Sequence, residues 1–305
     1  MSGGASPAAG RGALAAAACY FFWGLFPLYW RQLAGIDATE LIAHRHVWSL
    51  AFVLGLMAAG AGFAELRAAL GSRPALRWHA LSGVLLTVNW LVYVWGVNHG
   101  HVLETSLGYF LVPLVNVALG RLVLHERLRP AQWAAIACAA FGVGLLLLQV
   151  GRLPWIALTL AVTFGTYGLL RKKSPLGPLT GLGLETLLLA PFAVTFLFWQ
   201  QHTGAGALGR VNPAEHLLLI SAGVVTAVPL LLFAYGARRI RLSTLGLLQY
   251  IAPTVQFALG LWVFHEPFSP ERAAAFAFIW FGLGLYTADN LWAQRRALVP
   301  LPPTG

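Results

Sequence analysis

Arg45 stands in the run Ala43-His44-Arg45-His46-Val47-Trp48, a guanidinium between two imidazoles in an otherwise apolar stretch beginning at Glu40. A guanidinium grips carboxylates and other anions through its forked N–H groups, and an imidazole titrates near neutral pH. Two readings are open. Arg45 lies about five residues in from Glu40, roughly 7–8 Å deep at ~1.5 Å per helical residue, so its long stem can snorkel back to an interface. Alternatively it forms a cationic wall for an anionic or carboxylated substrate. His44 and His46 point about 200° apart around a helix, so at most one shares a pathway with Arg45.

Other polar residues interrupt long apolar runs in the same way. Glu104-Thr105-Ser106-Leu107-Gly108-Tyr109 leads to Pro113 and Asn116, and Ser243-Thr244-Leu245-Gly246 leads to Gln249-Tyr250, Pro253 and Gln256. Proline inside a helix frees a backbone carbonyl that neighbours or water must satisfy, so Pro113 and Pro253 mark expected kinks beside a pathway or a packing seam. Glu104 is placed to pair with Arg45, to carry a coupling proton, or to cap a helix start, where carboxylates are favoured. Glu185, with no basic neighbour in sequence, is a second candidate for proton coupling. Asn89-Trp90, with Tyr93, reads as an aromatic pocket wall or as ordinary packing. The candidate pathway residues are therefore His44, Arg45, Trp48, Asn89, Trp90, Tyr93, Glu104, Ser106, Tyr109, Asn116, Ser243, Gln249 and Tyr250. The pairs His125-Glu126 and His265-Glu266 read as turns at helix ends, and Cys19 and Cys138 as small buried hydrophobes. No CxxC, HExxH or P-loop pattern is present, so neither a metal nor a nucleotide cofactor is expected.

The elements that hold these residues follow from composition. Of 305 residues, 58% are hydrophobic and 10% are charged, against about 25% charged in soluble domains. A spanning helix needs about 20 predominantly apolar residues, and ten candidates appear: 12–31, 40–60, 78–98, 102–124, 131–151, 153–170, 180–200, 215–237, 242–264 and 271–292. The expected class is all-α integral membrane, with the lipid bilayer as surroundings and tails at 1–11 and 293–305. The small, polar N-terminal stretch lacks the basic start of a cleavable signal. With both termini in the cytoplasm, fourteen of the twenty Lys and Arg fall on the cytoplasmic side. Four (Arg31, Arg152, Arg210 and Arg272) fall outside, and Arg45 and Arg121 lie within helices. That asymmetry satisfies the positive-inside rule. It accounts for the net charge of +10 without invoking nucleic acid.

A shift of 140 residues superposes two stretches without a gap. Gly83 falls on Gly223, Gly96 on Gly236, Pro113 on Pro253, Gly120 on Gly260, His125-Glu126 on His265-Glu266, and Phe141-Gly142 on Phe281-Gly282. A slightly larger shift pairs Gly24 with Gly168 and Glu40 with Glu185. The chain reads as two five-helix halves, 12–151 and 152–292. Five is odd, so the second half enters the membrane inverted, an architecture of many secondary transporters.

Several strings are specific. Trp23-Gly24-Leu25-Phe26-Pro27-Leu28-Tyr29, Ala43-His44-Arg45 through Trp48-Ser49, Glu104 through Tyr109 with Pro113-Leu114-Val115-Asn116, and Arg171-Lys172-Lys173 resemble the RarD family, in the EamA branch of the drug/metabolite transporter superfamily. So do Leu242 through Gly246 with Gln249-Tyr250, and Phe276 through Trp280. The resemblance implies ten helices from two inverted EamA repeats, a bacterial inner-membrane location, and export or exchange of a small solute. It names no substrate and leaves the oligomeric state open. Two other classes compete: a non-transporting sensor or assembly partner, and an intramembrane enzyme, for which the chain lacks an acidic metal-binding cluster.

Overall fold

In lipid a backbone N–H or C=O must find its partner within the protein, and a long unbroken apolar run does so as a helix. In the computed structural model, which describes residues 7–60, 62–99, 101–148, 154–264 and 270–298, each apolar segment named above is largely helical over its described residues. The first half contains α1 (Pro7–Trp30), α2 (Ala38–Ala58), a short α3 (Gly62–Leu70), α4 (Arg73–Asn98), α5 (Val102–Leu122) and α6 (Pro130–Leu148). The second contains α7 (Trp155–Lys173), α8 (Pro178–His202), α9 (Pro213–Ala237), α10 (Leu242–Leu248), α11 (Ile251–Trp262) and α12 (Pro270–Leu298). Among the described residues, eight helical segments, not ten, are long and apolar enough to cross a membrane. They are α1 extended through the 3₁₀ turn at Arg31–Leu33, then α2, α4, α5, α6, α8, α9 and the α10–α11 stretch. The helix α7 is diluted by Arg171-Lys172-Lys173 in its last turn.

Two elements depart from the expected pattern. The ninth segment is not one kinked helix over 242–264 but two, with Gln249 and Tyr250 in a turn between them. Proline lacks an N–H, so Pro253 cannot bond the carbonyl four residues earlier, at Gln249. That carbonyl accepts from Ala252 N at 3.1 Å instead, which places the break before the proline rather than at it. Its counterpart Pro113 lies inside an unbroken α5. The second departure is α3, which buries Leu66 and Ala69 and offers Glu65 to the start of α8, where it accepts from Gly177 N at 3.3 Å and from the Thr180 hydroxyl.

Helix starts are capped by the residues the physics favours. Asp37 accepts from Thr39 N at 2.9 Å and Glu40 N at 3.3 Å at the start of α2, and Asn212 with Glu215 forms a capping box on α9. At the end of α5 the chain turns through His125, whose φ of 53° lies in the left-handed region, and Glu126 N donates to Gly120 O at 2.9 Å. This turn aims the Glu126 carboxylate at α10, where it accepts from Leu242 N (2.6 Å), Ser243 N (3.1 Å) and Ser243 Oγ (2.7 Å). The matching His265-Glu266 lies outside the described residues, as do residues 1–6, the segment 149–153 and residues 299–305.

Packing between the halves is reciprocal. A Cβ on Gly142 of α6 would stand 2.6 Å from the Ala275 carbonyl of α12, and one on Gly282 of α12 would stand 2.5 Å from the Ala135 carbonyl of α6. Residues 135 and 275 are themselves 140 apart. Gly96 of α4 lies against Ile156 of α7, while its counterpart Gly236 of α9 lies against Gly12 and Ala16 of α1. The first helix of each half is thus housed by the other: α7 on α4 and α5, α1 on α9, α10 and α11. Tyr250 donates its hydroxyl to the carbonyl of its own counterpart, Phe110, at 3.3 Å. Such close approach of small residues suits lipid, where no hydrophobic effect drives helices together. Around it the rings of Tyr20, Trp23, Phe164, Tyr167 and Phe233 pack together, mostly edge to face or tilted, and large apolar side chains such as Phe141, Phe192 and Phe198 face outward.

Candidate functional site

Four helices leave a cleft between them, with about 300 Å³ of atom-free space including its mouth. From the first half, α2 contributes Arg45, His46 and Ser49, and α4 contributes Gly83, Leu86 and Trp90. From the second half, α8 contributes Leu182, Glu185, Thr186 and Leu189, and α9 contributes Thr226 and Leu230. Gly223 of α9 makes room for the α2 backbone at Trp48, and Gly83 lets α4 approach Leu189 and Glu185. Small residues at the crossings bring the polar ones within reach of a shared space.

Arg45 is half-buried. Its Nε donates to Thr226 Oγ1 at 2.9 Å, and its Cζ stands over the faces of Trp90 at 4.2 Å and Trp30 at 4.8 Å. Cation–π contacts of this kind strengthen as water is excluded. Tyr29, Tyr93 and Tyr109 are close enough to feel its charge, and the rings of Tyr93 and Tyr109 meet edge to face at 5.5 Å. His46 turns Nδ1 toward Ile42 O at 3.0 Å and packs its ring on Trp90. Glu104 is buried in the first turn of α5.

Glu185 closes the other end of the cleft and is fully engaged. Arg171 Nη1 donates to its Oε1 at 3.2 Å, His79 Nδ1 lies 3.0 Å from the same oxygen, and Ser82 donates to it as well. Tyr167 reaches Oε2 at 3.4 Å, and Ser174 Oγ holds the far nitrogen of His79 at 3.0 Å. All of these groups are buried, Arg171 to 1% exposure. The sequence reading put Arg171 among the charges that mark topology and gave Glu185 no basic neighbour. In the structure the Arg171 side chain reaches from the last turn of α7 to Glu185 on α8, a contact no local spacing announces.

The remaining candidates divide. Arg45 and Trp90 line the cleft, and Tyr93 and Tyr109 lie within electrostatic reach of Arg45. His44 turns toward Glu40, 3.8 Å away, and Glu40 accepts from Ala207 N at 2.6 Å. Asn89 ties α4 to α7 through Leu160 O at 2.8 Å and Thr163 Oγ1 at 3.0 Å. Ser243 is held by Glu126 at the start of α10, Tyr250 is packed on Phe110, and Ser106 is exposed. Trp48 presses its backbone on Gly223 with its indole N–H unpartnered. Asn116 and Gln249 are buried with side-chain oxygens that meet no hydrogen-bond partner among the described residues. Sequence reasoning missed Thr226, Ser49 and Thr186. A signal existed for Thr226, since the 140-residue shift sets it against Leu86, an apolar residue at the matching position.

A helical, multi-pass chain whose polar residues converge on an internal cleft is the architecture of a membrane transporter, and sequence comparison gives the same class. The model of the EamA-like transporter family matches residues 10–148 and 153–288. The chain belongs to the RarD family of EamA-like transporters. Protein RarD of Escherichia coli (strain K12) is 42% identical over 286 residues, covering 94% of this chain and 97% of that protein. Protein RarD of Streptomyces exfoliatus is 45% identical over 278 residues, covering 91% and 88%. An uncharacterized transporter of Vibrio cholerae serotype O1 (strain ATCC 39315 / El Tor Inaba N16961) is 42% identical over 288 residues, covering 94% and 95%. One crystal structure, 21% identical, shares the fold with a TM-score of 0.69 over 93% of this chain and 98% of that one.

Proposed function

We propose that the protein is a secondary transporter that moves a small polar or amphiphilic solute by alternating access about the α2–α4–α8–α9 cleft. In this reading ten spans form two inverted halves in a bacterial inner membrane, with both termini cytoplasmic. The observation that carries it is the makeup of the cleft: two helices from each half surround Arg45 at one end and Glu185 at the other. Rocking one half against the other would open each end in turn. The reciprocal contacts at Gly142 and Gly282 support the inverted pairing, because a two-fold relation makes residue i meet j wherever j meets i. Of the two acids considered for proton coupling, Glu185 lines the cleft. Its bonds to Arg171 and His79 support a further role as a strut joining α4, α7 and α8 that must part when that end opens.

The test is uptake by purified protein in proteoliposomes, with and without a pH gradient, across amino acids, nucleosides, organic anions and chloramphenicol. Saturable flux that Arg45→Ala abolishes in a correctly folded protein is the expected result. Flux undiminished by the substitution would remove the cleft from the pathway, and no flux for any class would favour a non-transporting role.

A further inference from the structure

We infer that the cleft takes a small organic monoanion, its carboxylate on Arg45 and its apolar body along the leucine wall. This deepens the transporter reading and rests on the same site. Three observations converge on it. First, Arg45 has no acidic partner among the described residues: its contacts are a threonine hydroxyl and two indole faces. A cation held within a membrane-spanning segment is costly and ordinarily pairs with something, and cation–π contact holds a charge without neutralising it. Second, the acid at the start of α2 and the acid that lines the cleft have other partners. Glu40 is taken by Ala207 N and faces His44, and Glu185 is matched by Arg171 with hydrogen bonds from His79 and Ser82. Glu185 is thus matched by Arg171 while Arg45 has no carboxylate within ion-pair distance among the described residues, and the counter-charge we assign to it is the ligand's. Third, a guanidinium has five N–H donors, and Thr226 occupies one. The donors left in its plane match a carboxylate's two oxygens.

The rest of the cleft selects further. Leu86, Leu182, Leu189 and Leu230 supply an apolar wall, with Ser49 and Thr186 as its hydroxyls. An ammonium group on the ligand would need an unpaired carboxylate there, and Glu185 is already engaged. A monocarboxylate with an apolar tail thus fits better than a zwitterion or a cation.

Binding and flux are measured separately on the full-length protein in lipid nanodiscs and proteoliposomes. The probes are acetate, butyrate, benzoate and phenylacetate, set against benzamide, benzylamine and phenylalanine. Quenching of tryptophan fluorescence reads occupancy, because Trp30 and Trp90 flank Arg45. Saturable binding is expected for at least one carboxylate of the set, with its neutral, cationic and zwitterionic counterparts weaker by about ten- to a hundredfold, the worth of one charge-assisted pairing. Arg45→Lys keeps the charge but loses the fork, and Thr226→Val frees the guanidinium from its anchor. Both are expected to weaken carboxylate binding while the protein stays folded by thermal unfolding. Equal binding of benzamide or benzylamine, carboxylate binding indifferent to Arg45→Lys, or no binding by any carboxylate would overturn the proposal. Flux of a neutral or cationic solute through a protein that ignores the carboxylates would sink the anion and keep the transporter. Carboxylate binding without flux of any solute would do the reverse.

Discussion

Removing one member of a buried ion pair costs more than the pair returns, because the survivor keeps its desolvation penalty with nothing to offset it. Arg171 and Glu185, 3.2 Å apart and each almost fully buried, are such a pair. Arg171→Met is expected to destabilise the protein by about 3–5 kcal/mol, whereas Arg171→Met combined with Glu185→Met should cost far less. Thermal unfolding of the two variants in detergent checks this; equal losses would mean the two side chains do not act as a unit. At this scale the sequence was only partly legible. Arg45 and Trp90 stood out as polar and aromatic residues in hydrocarbon, and Glu185 as a buried acid. The partner of Glu185 was hidden within Arg171-Lys172-Lys173, where three adjacent charges look alike although a helix points each in a different direction. The repeat also shows its limit here. It matches Leu86 with Thr226 and Trp90 with Leu230, so the halves share a skeleton while dividing the chemistry of the cleft between them.

Among elements, the short α10 depends on a residue far away in sequence. Two of the three bonds that Glu126 accepts satisfy orphan backbone donors at the start of α10, and the third holds the Ser243 hydroxyl. Glu126→Ala is therefore expected to lower the unfolding free energy by about 1–3 kcal/mol, with Glu126→Gln retaining part of it, as read by unfolding in detergent. His125 imposes the left-handed turn that aims Glu126, so His125→Gly should be tolerated, glycine entering that region at no steric cost. The cap on α2 makes a prediction in pH. Hydrogen bonding from Thr39, opposed by partial burial, holds the Asp37 carboxyl below the usual aspartate range. A depressed folded value makes the cap's contribution complete above the unfolded value of about 3.9, lost only as pH falls through the lower folded one. Asp37→Ala should therefore destabilise equally across about pH 5 to 8, and a difference that grows or shrinks over that range would contradict the assignment. The long helices were legible as apolar runs, eight of them full spans among the described residues. The helix α3 was not, since nine residues with Glu65 and Arg67 give no such signal, and Pro253 announced a disruption but not the turn four residues before it.

On the scale of the molecule, one end collects Arg67, Arg73, Arg77, Arg129, Lys172 and Arg238, several of them bonded across helices: Arg129 to Asn290 Oδ1 at 2.8 Å, Lys172 to Ala237 O at 3.2 Å, Arg238 to Ser174 O at 2.8 Å. The proposed orientation puts this end in the cytoplasm. A cysteine placed at Arg67 should react with a membrane-impermeant maleimide only after cells are opened, and one at Ala205 should react in intact cells. The opposite pattern would invert the topology. The two stretches matched by the EamA-like family model, residues 10–148 and 153–288, coincide with the gapless repeat of glycines and prolines in the sequence. The exchange of first helices between the parts was not legible there, because a repeat records which residues correspond and not which ones touch.

That exchange bears on how the molecule is made. The surfaces that join α1 to α9 and α11, α7 to α4 and α5, and α6 to α12 lie wholly within helices, and none of them requires a continuous backbone from one half to the other. Residues 1–150 and 151–305, synthesised as two polypeptides in the same cell, should find each other and co-purify as a functional pair. Either fragment alone would have its leading helix unhoused and should be cleared by membrane proteolysis. Assembly must then wait on synthesis: α1 has no berth until α9, α10 and α11 have been inserted, and α6 gains its partner only when α12, the last helix made, arrives.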